Sequence, residues 1–333
     1  MKILVTGGAG YIGSHTVRQL VAAGHEVVVL DNLAYGHREA IVDGEVVLVE
    51  GDVGDAAVVE ALFGAHGIEG VMHFAAFIEV GESVRDPLKY YRNNFAAPLN
   101  LLAVMREHGC RRFIFSSTCA TYGMPEKVPI PEGHPQRPIN PYGRSKHMLE
   151  QALRDCDRAW GLKSVNLRYF NASGAALDGR IGEDHDPETH LIPLVLMAIR
   201  GQREKLRVFG TDYDTPDGTC IRDYIHVEDL AAAHVAALDD LVERGESDAF
   251  NLGTGAGISV LEILRVAEEV AGKPVPVEYG PRREGDPPRL VADASKAARV
   301  LGWSPSRSDV ETIVRSAWEW SRHMWQAPGA AGP

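Results

Sequence analysis

The sequence has few of the features expected of a disulfide-rich, nucleic-acid-binding or membrane protein. Its 4 cysteines, Cys110, Cys119, Cys156 and Cys220, form no CxxC pair, which excludes a zinc ribbon and favours reduced thiols. The 34 Lys+Arg are outnumbered by 46 Asp+Glu, so non-specific binding to nucleic acid is not expected. No apolar run approaches the roughly 20 residues of a membrane span. We therefore expect a cytoplasmic protein with no nucleic-acid or membrane partner.

A glycine-rich segment follows directly after the first strand-like run, at residues 2–6. Gly7, Gly10 and Gly13 fit GxxGxxG, with an overlapping GxGxxG. A strand–glycine–helix unit of this kind makes a tight turn and directs a helix N-terminus at a pyrophosphate. Asp31 ends the next predicted strand, 18 residues after Gly13 (31 − 13), where a carboxylate binds an adenosine ribose and repels a 2′-phosphate. The segment therefore predicts dinucleotide binding, with NAD favoured over NADP.

Strand-like and helical patterns alternate along the first half of the chain. Apolar runs at 27–30, 46–49, 70–74, 112–115 and 164–170 are separated by helical segments. Near-continuous apolar strands with intervening helices indicate a parallel sheet that is covered on both faces. The sequence thus predicts an α/β fold, with a doubly wound parallel sheet of the Rossmann type and a smaller α/β substrate-binding domain.

The pattern changes after about residue 172 and predicts two domains. We assign 1–172 to an NAD-binding Rossmann domain, with a returning segment at about 222–254. A smaller substrate-binding domain takes 173–221 plus 255–326. Residues 327–333 are predicted to be a flexible tail.

Tyr142 and Lys146 form the candidate catalytic pair. Side chains four apart on a helix share a face and lie one turn apart. A free Tyr hydroxyl has a pKa of about 10, and a fixed ammonium nearby favours the phenolate, which can accept a proton from a sugar hydroxyl. This spacing is common on solvated helices, but here Thr118 ends the fifth predicted strand and a cofactor loop stands at the N-terminus. Together they predict a catalytic site.

The order of glycine loop, Thr118 and YxxxK resembles the extended short-chain dehydrogenase/reductase superfamily. Further segments resemble the UDP-glucose (UDP-galactose) 4-epimerase family within it, and the likeness covers roughly 1–320. These segments are 6–15, 80–84, 167–171, 218–227 and 281–286.

The resemblance implies an NAD-dependent, redox-neutral epimerisation of UDP-galactose and UDP-glucose. Tyr142 would take and return the proton of the 4-hydroxyl, NAD would take and return the C4 hydride, and the 4-keto sugar would turn over while held by its UDP. Lys146 would bind the nicotinamide ribose and lower the pKa of Tyr142, and Thr118 would share the hydrogen bond to O4. A homodimer is also implied, through the helices predicted at 86–108 and 142–160.

The resemblance further implies the residues that contact each ligand. Cofactor contacts are implied for Gly7, Gly10, Tyr11, Ile12, Gly13, Asp31, Asn32, Asp52, Val53, Phe74, Ala75, Ala76, Asn94, Ser116, Tyr142, Lys146 and Tyr169. Substrate contacts are implied for Thr118, Tyr142, Asn171, His190, Leu191, Val208, Phe209, Arg222, Arg283, Asp286 and Leu290. Asp223 is interpreted as structural.

Two positions depart from the family pattern. Many relatives have a lysine near the nicotinamide ribose after the fourth strand, where this chain has Phe77, Ile78 and Glu79. Leu290 stands where some relatives carry a bulky tyrosine at the sugar pocket. We hypothesise that the shorter side chain leaves room for a 2-acetamido group, so that UDP-GlcNAc and UDP-GalNAc are also substrates.

Other functions were weighed against this one. A sugar-nucleotide dehydratase would carry an Asp-Glu pair after Thr118, but Cys119 and Ala120 follow it, so dehydration is not expected. A 4-epimerase of UDP-glucuronate or of a UDP-N-acetylhexosamine stays an alternative. A non-catalytic NAD-binding module is a further alternative, although such modules commonly lose the Tyr/Lys pair.

A metal site was also considered. His185 and His190 stand near Glu183, Asp184 and Asp186, but the spacing matches no standard metal site. The segment is interpreted as a solvated acidic loop, and no metal is expected.

Overall fold

The computed structural model describes residues 1–42, 44–283 and 285–324. The tail predicted at 327–333 lies outside them. Within the described ranges, no helix combines the length and apolarity needed to cross a membrane.

The described chain alternates strands and helices. The strands are β1 (Lys2–Thr6), β2 (Glu26–Asp31), β3 (Val47–Glu50), β4 (Gly70–His73), β5 (Arg112–Thr118), β6 (Lys163–Tyr169), β7 (Asn171–Ser173), β8 (Leu206–Phe209), β9 (Ile221–Arg222), β10 (Tyr224–His226), β11 (Asp248–Leu252), β12 (Ile258–Ser259), β13 (Val277–Gly280) and β14 (Arg289–Leu290). The helices are α1 (Tyr11–Ala22), α2 (Ala56–His66), α3 (Val80–Arg85), α4 (Pro87–Tyr91), α5 (Ala97–Glu107), α6 (Pro141–Trp160), α7 (Leu191–Ile199), α8 (Val227–Arg244), α9 (Val260–Ala271), α10 (Ser295–Leu301) and α11 (Val310–His323).

The main sheet has seven strands in the order β11-β6-β5-β4-β1-β2-β3, and every neighbouring pair is parallel. Successive strand residues face opposite sides of the sheet. Val5 therefore packs in one core cluster with Leu238 of α8, while Leu4 packs in another with Leu101 of α5 and Leu149 of α6. The predicted doubly wound Rossmann sheet is confirmed.

A further core cluster lies among α7, α9 and α11 and includes Val195, Ile263 and Ile313. We propose the predicted two-domain division on this basis, with α8 and β11 as the segment that returns to the first domain. Ala297 and Trp303, which follow that segment, also pack in the core of the main sheet.

Two predicted elements are interrupted in the structure. The helix predicted at 86–108 consists of α4, a π-helical turn at Arg92–Ala96 and α5. The strand predicted from Arg222 divides at Asp223 into β9, which pairs with β12 and β14, and β10, which pairs with β7. The buried Asp223 carboxylate accepts hydrogen bonds from Thr254 N (2.7 Å) and Ala292 N (3.0 Å). This supports its interpretation as structural.

Candidate active site

A cavity of about 1230 Å³ lies along the carboxyl ends of the central strands and extends to the second domain. It brings together most of the residues predicted to bind cofactor or substrate. Those on its wall are Gly7, Gly10, Tyr11, Ile12, Gly13, Asp31, Asn32, Asp52, Val53, Phe74, Ala75, Ala76, Ser116, Thr118, Tyr142, Lys146, Tyr169, Asn171, His190, Arg283, Asp286 and Leu290.

The glycine loop packs backbone against backbone, which leaves no space for a side chain at Gly7 or Gly13. A Cβ added to Gly7 would lie 2.5 Å from Ala75 N, and one added to Gly13 would lie 2.1 Å from Gly7 O. Gly10 is the N-cap of α1 and contributes no side-chain cap, so the first amides of that helix are available to an anion. This arrangement fits the pyrophosphate of a dinucleotide.

Asp31 has only 7% of its surface exposed at the end of β2. Its carboxylate accepts hydrogen bonds from Ala9 N and Leu33 N, each at 2.9 Å. Burial raises the pKa of Asp31, and these two hydrogen bonds oppose that effect. Asn32 Nδ2 donates to Asp52 Oδ2 at 2.8 Å, so the second acidic residue on this part of the wall is also oriented. The donor and acceptor set suits an adenosine.

The catalytic helix α6 begins with a strong local signal. Asn140 accepts a hydrogen bond from Gly143 N (2.8 Å) and Pro141 occupies the first turn, both of which favour a helix start. Tyr142 and Lys146 are buried, with 8% and 3% of their surface exposed. Tyr142 also hydrogen-bonds with the side chain of Thr118, which joins the three predicted catalytic residues in one group.

The pKa of Tyr142 is not lowered in the protein alone, whereas the expectation combined Lys146 with the positive nicotinamide of bound NAD. Burial raises the pKa of Tyr142 well above its usual value, the charge of Tyr169 acts in the same direction, and only the hydrogen bond with Thr118 opposes them. Burial dominates because a phenolate loses its hydration there. The phenolate therefore needs a positive charge from a bound group.

The Lys146 ammonium contacts two neighbouring residues of β5. Its Nζ donates a hydrogen bond to the Ser116 backbone oxygen (2.8 Å) and lies 4.9 Å from the centroid of the Phe115 ring. Burial lowers the pKa of Lys146 to about 7. The Ser116 hydroxyl and Tyr169 hydroxyl are 2.7 Å apart, and burial raises the pKa of Tyr169 to about 12.

Asn94, a predicted cofactor residue, forms hydrogen bonds to another part of the protein through its side-chain amide. Its Oδ1 accepts from Phe77 N and its Nδ2 donates to Phe77 O, both at 2.9 Å. It thereby braces the loop after β4, and the neighbouring Asn93 lies on the cavity wall. In the same region Lys89 Nζ lies 4.2 Å from the Phe77 ring centroid and 2.7 Å from Glu82 Oε1.

The predicted substrate residues of the second domain form two contacting pairs. Arg222 Nη2 lies 3.3 Å from Asp286 Oδ1, and its Nη1 donates to Pro287 O at 2.9 Å. The Arg283 guanidinium lies 4.6 Å from the Phe209 ring centroid. Arg283 and Asp286 lie on the cavity wall, whereas Arg222 and Phe209 contact these two residues but are not on that wall.

Two predicted substrate residues contribute to packing instead. The Val208 side chain is buried in the core of the second domain, because β8 alternates its faces, and Leu191 packs against the same core. Any contact of Val208 with a ligand would therefore come from its backbone.

The interpretation of 183–188 as a solvated acidic loop is wrong. Glu183 is only 8% exposed and lies 2.7 Å from His190 Nδ1 and 3.1 Å from His185 Nδ1. Burial opposes the charge of His190, but Glu183 and Glu188 outweigh it and raise the pKa of His190 to about 10. One ligating atom from each of these four residues lies within 4.8 Å of the others. The absence of a metal remains a prediction.

Sequence reasoning missed one buried group beside the catalytic pair. Glu150 is one helical turn after Lys146 and pairs with Arg168 at 2.6 Å. The spacing of four residues on α6 could have indicated that the two side chains share a face, but the pairing with β6 depends on the tertiary fold.

Comparison with known proteins gives concordant results. The model of the NAD dependent epimerase/dehydratase family matches residues 3–253. The chain is 56% identical over 319 residues to a UDP-glucose 4-epimerase of Rhizobium meliloti (strain 1021), covering 96% of each chain.

Two solved structures are also similar. The UDP-glucose 4-epimerase from Brucella ovis in complex with NAD is 52% identical with a TM-score of 0.93, covering 95% of this chain and 97% of that one. The Bifidobacterium longum UDP-glucose 4-epimerase in complex with NAD⁺ and UDP is 41% identical with a TM-score of 0.91, covering 97% of this chain and 99% of that one. The chain therefore belongs to the NAD dependent epimerase/dehydratase family, among the UDP-glucose 4-epimerases of the extended short-chain dehydrogenase/reductase superfamily.

Proposed function

We propose that this NAD-dependent enzyme interconverts UDP-galactose and UDP-glucose by 4-epimerisation, with Tyr142 as the group that takes and returns the proton. The observation that carries the proposal is that Tyr142, Lys146 and Thr118 share one cavity wall with the glycine loop and with Arg283. The relatives favour this function over a UDP-glucuronate epimerase or a non-catalytic module.

The residues of the chain have distinct tasks in this reaction. When bound, NAD supplies the hydride acceptor for C4 of the sugar and the positive charge of its nicotinamide ring. Tyr142 Oη accepts the proton of the 4-hydroxyl, holds it while the 4-keto sugar turns over, and returns it to O4. Thr118 orients the same oxygen, and Lys146 places an ammonium group beside the cofactor ribose. The burial of Tyr142 and Lys146 excludes water that would exchange the proton or trap the intermediate.

The second domain would hold the UDP while the sugar turns. Guanidinium groups bind phosphate oxygens in bidentate fashion, which suits Arg222 and Arg283. Asp286, which lies 3.3 Å from Arg222, can accept hydrogen bonds from ribose hydroxyls. Phe209 would offer an apolar face to the uracil base. Asn171, at the start of β7, also lies on the cavity wall.

The direct test needs only the purified protein and UDP-galactose. We expect bound NAD to co-purify, UDP-glucose to form without added cofactor, and no net absorbance of NADH to develop at equilibrium. If turnover required added NAD⁺ and NADH accumulated in proportion to product, the protein would be a dehydrogenase and the proposal would be wrong.

Tyr142→Phe tests the assigned proton carrier. A general base contributes roughly 10²–10⁴-fold to a rate, so we expect kcat to fall by at least about 100-fold while bound NAD is retained. Tyr279→Phe is the matched control, because Tyr279 is 57% exposed on β13, and its activity should equal the wild type. An active Tyr142→Phe enzyme would contradict the role of Tyr142.

We further propose a homodimer formed through the helices α4–α6 and a cytoplasmic location. Large apolar side chains are exposed on α4 and α5, with Leu88 at 60% and Leu99 at 39%, and such exposed side chains favour association. Light scattering should give twice the mass of one chain. Leu99→Glu should give a monomer, whereas Leu177→Glu, at a site 56% exposed in another region, should not. A wild-type monomer would contradict the proposal.

A further inference from the structure

Glu150 is a buried carboxylate on the catalytic helix that the proposed chemistry does not use. Its Oε1 accepts hydrogen bonds from Ser117 Oγ (2.6 Å) and Arg168 Nε (3.0 Å). Its Oε2 accepts from Arg168 Nη2 (2.6 Å) and Gln136 Nε2 (2.8 Å). Four donors thus fix one carboxylate, and their combined effect lowers its pKa even though burial acts in the opposite direction.

Arg168, its partner, is also buried and has further contacts of its own. Its Nη1 donates to the Tyr122 hydroxyl at 3.0 Å, and that hydroxyl in turn donates to Asn251 Oδ1 at 2.6 Å. A buried ion pair is weak evidence for stability, since apolar residues of similar volume often replace one at no cost. The place of this pair in the fold therefore points to another role.

The pair ties the catalytic helix to two strand ends at once. Ser117 stands between Ser116 and Thr118 on β5, and it is the register partner of Arg168 on β6. Tyr169, whose hydroxyl lies 2.7 Å from Ser116 Oγ, directly follows Arg168. Any shift of α6 along these strands would therefore break hydrogen bonds to Glu150.

Glu150 also acts on the charge of Lys146. Burial lowers the pKa of Lys146 to about 7, and the Glu150 carboxylate opposes that effect. His73 adds no favourable charge, since burial and the nearby Lys146 lower its own pKa to about 3. On α6, Tyr142 and Glu150 lie four residues before and after Lys146, and Lys146 interacts electrostatically with Glu150 and with His73 of β4. The Tyr169 hydroxyl contacts Ser116, whose backbone oxygen accepts the Lys146 hydrogen bond, and the charge of Arg168 is paired with Glu150.

We propose that Glu150, held by Arg168 and Ser117, is a positioning residue for the epimerisation. Its carboxylate fixes α6 against the ends of β5 and β6 and places a negative charge one helical turn from the Lys146 ammonium. This inference rests on the proposed function, because Lys146 matters here only as the partner of the proton carrier Tyr142.

Glu150→Gln tests the proposal, because glutamine keeps the shape and an acceptor for Ser117 but removes the charge. Without that charge the Lys146 ammonium loses its proton at lower pH, so the alkaline limb of the kcat–pH profile should move to lower pH. We expect a shift of about one pH unit and a kcat reduced by about tenfold at pH 8, because one pH unit corresponds to a tenfold change in the protonated fraction. The KM for UDP-galactose should stay within about twofold.

The control is an ion pair away from the catalytic helix in which only the carboxylate is buried. Asp240 lies 2.5 Å from Arg244 on α8 and is 9% exposed, so Asp240→Asn should lower thermal stability without moving the pH limb. If Glu150→Gln does not fold, Glu150→Gln/Arg168→Met leaves no unpaired buried charge. It should shift the alkaline limb in the same direction but by less, because the positive charge of Arg168 is removed as well.

The outcomes separate this inference from the function on which it rests. The role of Glu150 would be overturned if the wild type is active and Glu150→Gln has an unshifted alkaline limb. If Glu150→Gln does not fold, the same result in the double variant would overturn it. A wild type unable to convert UDP-galactose would instead overturn the proposed function.

Discussion

Gly13 offers a sharp test of how the cofactor loop is built. It lies inside α1 and is buried, and a Cβ added there would meet Gly7 O at 2.1 Å and Gly8 Cα at 2.9 Å. Both atoms belong to the backbone, so no side chain can rotate away. Gly13→Ala must therefore push the glycine loop from its position against α1.

Gly64 is the matched control for the helical context. It lies inside α2, and a Cβ added to it meets nothing within 4 Å. Replacing glycine by alanine in a helix interior stabilises by roughly 0.5–1 kcal/mol, so Gly64→Ala should raise the unfolding free energy by about that amount. At Gly13 the same gain is opposed by an overpacking cost of about 1–3 kcal/mol or more, and we expect a net loss.

We expect Gly13→Ala to weaken cofactor binding more clearly than it changes any other property. If about 1.4–2.8 kcal/mol of the NAD binding energy is lost, the Kd rises about 10–100-fold. The NAD content of the purified variant, measured after denaturation, should fall well below that of the wild type, while Gly64→Ala should keep full content. Gly13→Ala protein with wild-type NAD content and melting temperature would refute this account of the loop.

Two other predictions concern the metal and the sugar. Dialysis against EDTA should leave epimerase activity unchanged, because Glu183 and Glu188 already pair with His190 at 2.7 and 3.2 Å; activity lost to EDTA and restored by a divalent cation would contradict this. The wild type should convert UDP-GlcNAc to UDP-GalNAc, since Leu290 lies on the cavity wall. Leu290→Tyr should reduce that activity at least about tenfold more than the activity on UDP-glucose, because a bulkier residue in a pocket excludes the larger substrate. A wild type that forms no UDP-GalNAc would refute the hypothesis about Leu290.

The amino-acid sequence alone determined the features that depend on neighbouring residues. The apolar strands predicted the parallel sheet, and the glycine spacing with Asp31 at the end of β2 predicted NAD as the cofactor. These predictions were possible because short segments of sequence determine where strands, turns and helices begin. Tyr142 and Lys146 were predicted to share a helix face for the same reason, and the structure places both on the cavity wall.

Only the tertiary structure decided the features that depend on burial and distant contacts. Arg222 meets Asp286 across 64 positions of the chain, and Glu183 is buried against His190 although its segment reads as a polar loop. Burial also raises the pKa of Tyr142 in the protein alone, since desolvation depends on every element packed around a group. The role of Glu150 was missed by sequence reasoning for the same reason, because Glu150 is on α6 and its partner Arg168 is on β6.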